Sequence, residues 1–221
     1  SPTPLVMHTV KNMGLHYGIE ITASHNPSQY NGIKLIVDEG RDAPLETTTL
    51  LEEFIAAAKD LPEADFAEQV TLGNIEYIVN PFNKFLDDII GLLDMEALRK
   101  RGLRVIFDSM HGSGTYPLLV IFHTARCTID TININKDAYF GGQMPAPSEK
   151  SLSHLHNAVV ERGYDLGIAM DGDGDRLGVV TKSGEIIYPD RQMMLFAKDI
   201  LAHHPGAQIV YDVKCTRRLV P

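Results

Sequence analysis

Tryptophan is absent, and cysteine occurs only as Cys127 and Cys215. Two widely separated thiols without a C-x-x-C pair argue against a disulfide scaffold and a cysteine zinc site. They read as reduced thiols of a reducing, cytoplasmic compartment. No apolar run approaches the roughly 18 residues that would mark a bilayer span, and the N-terminus has no charged-then-apolar secretion pattern. Basic charge is scarce: 20 Lys and Arg stand against 29 Asp and Glu, a net charge of −9. That balance argues against nucleic-acid partners and against an anionic membrane. It leaves room for an anionic small molecule in a local cationic pocket. With 18 Gly and 12 Pro the chain is neither collagen-like nor disordered. With 44% apolar residues in 221 it has enough material for one large domain or two small ones. It opens Ser1-Pro2-Thr3-Pro4 without Met and stops just after a strand-like run, so it reads as a piece of a longer protein.

Local patterns alternate between strand and helix. Thr3 is an expected helix N-cap with Pro4 in the first turn and Gly14 as the stop. Residues 18–22 and 33–37 are predicted strands, joined by a loop rich in turn formers. A helix is predicted to end before Pro62, and residues 60–73 form a polar connector. From Asn74 the pattern is helical with an interruption at Pro81. Strands are predicted at 103–107, 127–134 and 165–170, with a helix reaching about Ala125 and another running from a Ser148 cap to Arg162. Residues 177–181 and 185–188 are predicted to form a hairpin across Lys182-Ser183-Gly184. A helix over 190–203, with Met193-Met194-Leu195-Phe196 in the core, and a last strand at 208–213 complete the pattern. This alternation predicts an α/β fold of mixed, mainly parallel sheets with flanking helices.

The strongest chemical signal is Asp171-Gly172-Asp173-Gly174-Asp175-Arg176, at the end of an apolar strand. Glycines between them let three carboxylates fold onto one point. Converging carboxylates repel unless a cation lies between them, and hard oxygen ligands favour magnesium, calcium or manganese. An EF-hand is excluded, since its sixth and twelfth positions here are Arg176 and Lys182. The plain alternative is an acidic surface turn. Arg176 adds a guanidinium suited to a phosphate, and a metal beside an arginine suits phosphoryl transfer.

A second constellation is Thr22-Ala23-Ser24-His25-Asn26-Pro27, followed by Tyr30-Asn31-Gly32-Ile33-Lys34. A serine in a strand-end loop is a common way to present a nucleophile. No G-x-S-x-G elbow surrounds it, which disfavours acyl transfer; by themselves Ser24 and Asn26 also suit a simple turn. His154 and His156, two apart on a helix, and His203 and His204, near a helix end, take structural readings. His111-Gly112-Ser113-Gly114 takes the reading of a tight βα turn, since it lacks the lysine of a P-loop.

Together these motifs resemble the α-D-phosphohexomutases, the phosphoglucomutase/phosphomannomutase family. Residues 22–27 resemble its phosphoserine loop and residues 171–176 its metal loop. Tyr188-Pro189-Asp190-Arg191 and the run from Asp212 to Arg218 are also similar to bacterial members. The resemblance implies that Ser24 carries the phosphoryl group and that Asp171, Asp173 and Asp175 hold magnesium, with a phosphoserine oxygen at Ser24 completing the site. It implies active-site places for His25, Lys34 and Arg176, with Lys34 the candidate general acid/base, and substrate contacts for Arg191 and Lys214. The implied reaction interconverts hexose 1-phosphate and hexose 6-phosphate, of glucose or mannose, through a hexose 1,6-bisphosphate that also acts as activator. The resemblance further implies a division into 1–72, 73–180 and 181–221: the end of a first domain, a whole second and the start of a third. The piece alone is then expected to lack turnover and to leave an unpaired strand edge at 208–213. Two other readings stay open on the motifs themselves. One is a phosphatase or phosphotransferase of the haloacid-dehalogenase kind with Asp171 as nucleophile, from which Asp175 departs. The other is a non-enzymatic, metal-stabilised binding module.

Overall fold

The computed structural model describes residues 1–219, and its helices and strands fall into two compact units. The first gathers Ser1–Ala23 with Gln29–Asp94, the second Ser24–Ser28 with Met95 onward.

In the first unit, helix α1 (Thr3–Met13) is followed by strands β1 (Tyr17–Ile21), β2 (Ile33–Val37) and β3 (Arg41–Asp42), and by helices α2 (Leu45–Ala57), α3 (Phe66–Thr71) and α4 (Pro81–Leu92). The three strands form an antiparallel sheet in that order. Helix α1 buries Leu5 and Val10, and Gly14 ends it in the left-handed conformation at φ 64°. Gly18 lets the helix approach β1 closely, since a Cβ there would lie 2.5 Å from Val10 Cγ2. Pro2, not Thr3, is the N-cap. The Thr3 hydroxyl is engaged by Glu20 across the unit, so the helix begins on a proline-fixed extended residue instead. Two further expectations are corrected. The connector at 60–73 contains α3, because Asp65 Oδ1 accepts the Glu68 N–H at 2.8 Å and caps it. Pro81 starts α4 and does not interrupt a longer helix, since proline lacks the N–H that an interior position needs.

The second unit contains α5 (Met95–Arg101), β4 (Arg104–Asp108), α6 (Thr115–Thr124), β5 (Thr128–Ile132), α7 (Ser153–Arg162), β6 (Leu166–Met170), β7 (Leu177–Thr181), β8 (Ile186–Ile187) and α8 (Pro189–His203). Its sheet has the order β5-β4-β6-β7-β8. The fold is therefore α/β with flanking helices, as expected, but one sheet is wholly antiparallel and the other mixed, so strand pairing is mainly antiparallel where mainly parallel sheets were expected. Parallel pairing is confined to β5-β4-β6, and the predicted hairpin supplies the antiparallel part. Helix α7 lays Leu155 and Val159 on this sheet beside Ile106, Ala169 and Val180. Each such side chain contributes about 1.5–3 kcal/mol when fully buried. Gly167 sits beneath the helix, where a Cβ would lie 2.6 Å from Val159 Cγ2.

Other expectations fail for local reasons. Ser148 does not cap α7: it exchanges hydrogen bonds with Ser151, forming a separate turn before the helix. Leu195 and Phe196 are 65% and 54% exposed, because among the described residues α8 buries only Gln192. Residues 208–213 form no strand. A strand exists by pairing, and no described segment pairs with this one, so the expected open edge is absent. Cys127 is buried, Cys215 half-buried, and both are free thiols. No helix among the described residues is long and apolar enough to cross a membrane.

Candidate phosphoryl-transfer site

Strand β6 delivers Asp171 into a loop, buried at Asp171 and Asp173 and exposed at Asp175 and Arg176, that closes on its own first side chain. Asp171 Oδ1 accepts the N–H groups of Asp175 at 3.0 Å and Arg176 at 2.9 Å. Gly174 turns at φ 73°, a conformation that glycine adopts without strain. Ligand oxygens of Asp171, Asp173 and Asp175 then lie within 4.8 Å of one another. Asp171 and Asp173 are buried, with 0% and 3% exposure. Asp171 Oδ2 is buried with no hydrogen-bond partner; the Arg176 Nε stands 3.8 Å from it. Burial raises the Asp171 carboxyl to about 7, and the charges of Asp173 and Asp175 push in the same direction, against the two backbone N–H groups that favour the anion. A buried oxygen without a donor, among converging carboxylates, fits a hard cation.

Ser24 belongs to the same compact unit as this loop. Its φ is 54°, a left-handed conformation uncommon for serine and enriched at functional sites. Its Oγ lies 3.2 Å from His25 Nδ1, in hydrogen-bond contact. Its carbonyl packs on Gly172, where a Cβ would come within 2.8 Å. Glycine at 172 therefore serves the approach of the serine loop as well as the turn.

The structure thus brings Ser24, His25, Asp171, Asp173, Asp175 and Arg176 into one unit. Lys34 lies in the other, on β2, where its Nζ donates to Thr3 Oγ1 at 3.3 Å. Arg191 pairs with Glu185 at 2.7 Å. Arg191 and Lys214 line an open cavity of about 860 Å³ together with Tyr188, Asp190, Thr216 and Arg218.

Two supports escaped sequence reasoning. The carbonyl of Gly172 accepts both the N–H of Ser113, at 2.9 Å, and its hydroxyl, at 3.2 Å. Gly112 presses on the same peptide, since a Cβ there would lie 2.6 Å from the Gly172 oxygen and 2.8 Å from that of Asp171. The tight turn after β4 therefore buttresses the acidic loop. Beneath it, Asp108 accepts the Met110 N–H at 2.8 Å and the Asn133 amide at 3.1 and 3.2 Å. It anchors the consecutive left-handed residues Met110 and His111, at φ 48° and 60°. The available signal was Gly112 and Gly114, flanking Ser113 in a strand-to-helix turn. His203 bonds the carbonyl of Asp199 at its own helix end, His156 bonds Asn157, and His154 lines a small pocket with Asp108.

Residues 1–61 match the model of the first α/β/α domain of phosphoglucomutase/phosphomannomutase, and residues 83–184 match the model of the second. The phosphomannomutase/phosphoglucomutase of Pseudomonas putida is 36% identical over 221 residues, covering 100% of this chain and 45% of the relative. A phosphoglucomutase of Neisseria meningitidis serogroup A is 36% identical over 222 residues, covering 99% and 45%. The chain spans somewhat under half the length of these curated relatives. A solved phosphoglucomutase/phosphomannomutase family protein from Burkholderia thailandensis superposes with a TM-score of 0.71 at 33% identity, over 91% of this chain and 41% of that one. The two domain matches, in the order expected of one protein and with relatives aligned along the whole chain, show that it belongs to the phosphoglucomutase/phosphomannomutase family.

Proposed function

We propose that this chain is the phosphoserine- and metal-bearing part of a magnesium-dependent phosphohexomutase, which interconverts the 1- and 6-phosphates of glucose or mannose. One observation carries the reading: three carboxylates converge, one of them buried with an oxygen that no donor serves, in the unit that also holds the strained Ser24 loop. In this reading residues 1–72, 73–180 and 181–221 belong to three successive domains.

Asp171, Asp173 and Asp175, with an oxygen of phosphorylated Ser24, would hold the magnesium. Bound there, it offsets the carboxylate charge and stabilises charge on the transferring phosphoryl group. The chain's own groups do the rest. A sugar hydroxyl attacks the phosphorus on Ser24; the new sugar O–P bond forms as the Ser24 Oγ–P bond breaks. The hydroxyl proton passes to a base, for which Lys34 is the candidate, and the departing Ser24 oxygen takes up a proton. His25, 3.2 Å from Ser24 Oγ, is within reach to supply it. Arg176 places positive charge at the edge of the acidic loop. The hexose 1,6-bisphosphate then turns round, and its other phosphate returns to Ser24. Arg191 and Lys214 are proposed to hold the sugar phosphate. Asp171 suits a ligand better than a nucleophile, because it is fully shielded and one of its oxygens is occupied by the loop backbone.

The test is the site of phosphate. Full-length protein incubated with sugar bisphosphate labelled in its phosphates should carry acid-stable label on Ser24, and Ser24→Ala should carry none and lose nearly all mutase turnover. Hydroxylamine-labile label on an aspartate would instead support the dehalogenase-type reading.

A further inference from the structure

Strand β1 turns its apolar residues outward and its one charge inward. Tyr17, Ile19 and Ile21 are 67%, 64% and 63% exposed, whereas Glu20 is 8% exposed. The antiparallel register sets Glu20 directly across from Lys34. Thr3, the first residue of α1 and 1% exposed, donates its hydroxyl proton to Glu20 Oε2 at 2.6 Å and accepts from Lys34 Nζ at 3.3 Å. A hydroxyl has one proton and two lone pairs. With the proton given to a carboxylate, the oxygen is a stronger acceptor toward the ammonium. The start of α1 also favours the Glu20 anion through the helix dipole. Helix, strand and partner strand therefore meet in a carboxylate–hydroxyl–amine chain that ends on the candidate acid/base.

We infer that Glu20 and Thr3 are positioning residues for Lys34. They fix its amine in one place, so that the proton exchanged with the sugar hydroxyl is presented from a set point. The inference rests on the proposed role of Lys34.

The experiment uses full-length protein carrying Lys34→Ala, Glu20→Gln, Thr3→Val or Thr3→Ser. Lys34→Ala should lower kcat by about 10²–10⁴, the usual worth of a positioned acid/base. Glu20→Gln and Thr3→Val should each lower kcat about tenfold with KM within about twofold, as expected for lost transition-state positioning. Thr3→Ser, which restores the hydroxyl, should stay within about twofold of wild type in kcat. A second readout needs no turnover: the rate at which dilute acetic anhydride modifies Lys34, scaled to Lys100 and Lys198 by mass spectrometry. That rate should rise in Glu20→Gln and Thr3→Val and hold in Thr3→Ser. Collapse of kcat in Lys34→Ala with unchanged kcat in folded Glu20→Gln and Thr3→Val overturns the positioning role alone. Normal turnover in Lys34→Ala overturns the role of Lys34 and with it the inference, while the labelling rates still judge the contact. Should Glu20→Gln not fold, the Thr3→Val and Thr3→Ser pair decides.

Discussion

Two aspartates close neighbouring parallel strands of the same sheet, Asp108 on β4 and Asp171 after β6. Both are buried, and burial raises both carboxyls above the ordinary range. Their surroundings differ. Asp108 is met by a backbone N–H and by the neutral amide of Asn133, which serves both its oxygens. Asp171 has one oxygen served by two N–H groups, one with no donor, and two further carboxylates within reach. Burial by itself therefore does not mark a cation site. The mark is burial combined with an unmet acceptor and accumulated like charge, which a bound cation relieves once the carboxyl is ionised. Asp108 is a structural anchor under the turn, and Asp171 is the proposed ligand.

Substitution should separate the two roles. Asp173→Asn in the full-length protein should cut turnover by about 10²–10³-fold, the scale of a removed electrostatic stabiliser, with the fold intact by circular dichroism. Asp108→Asn should cost about 1–3 kcal/mol of stability, because its new amide donor faces the Asn133 donor. Turnover in the surviving folded protein should stay within about tenfold of wild type. Equal losses of turnover in both variants would erase the distinction.

Gly112→Ala tests the buttress between the two aspartates. The added methyl must displace the carbonyls of Asp171 and Gly172. Magnesium affinity should fall about 10–100-fold, the range for loss of a partner behind a metal site. Ser113→Ala keeps the backbone bond and loses only the hydroxyl contact, so it should cost about 1 kcal/mol or less.

The pH dependence sharpens the contrast further. In metal-free protein the Asp171 carboxyl titrates near 7, against an ordinary value of 3.8. The folded state then holds its proton more tightly than the unfolded state. The associated stability is fully present below about pH 4 and is lost as pH rises to about 7. The melting temperature without metal should fall across that window. Asp171→Asn should flatten the slope, and millimolar magnesium should do the same from the alkaline side, since it competes with the proton.

How far the sequence showed this depended on the length of the pattern involved. The strand and hairpin runs at 33–37 and 177–181 were legible because apolar periodicity and turn residues agree there. The acidic and serine loops were legible because residue type and spacing alone carry their chemistry. Thr3, Glu20 and Ser113 were not, because each acts through a partner between 17 and 59 positions away. Glu20 was the hardest. Alternation within Gly18–Thr22 defines two faces but not which is inward, and the ordinary expectation would bury Ile19 and Ile21. The run at 208–213 misled for the opposite reason: its composition suits a strand, but composition does not provide a partner.

The most direct measurement is calorimetric titration of magnesium, at pH 8 so that Asp171 is ionised, into wild type, Asp108→Asn and Asp171→Asn. One ion should bind to wild type and to folded Asp108→Asn with affinities within about tenfold, and none measurably to Asp171→Asn. Magnesium binding retained in Asp171→Asn, or lost equally in folded Asp108→Asn, would contradict the assignment of the acidic loop as the cation site.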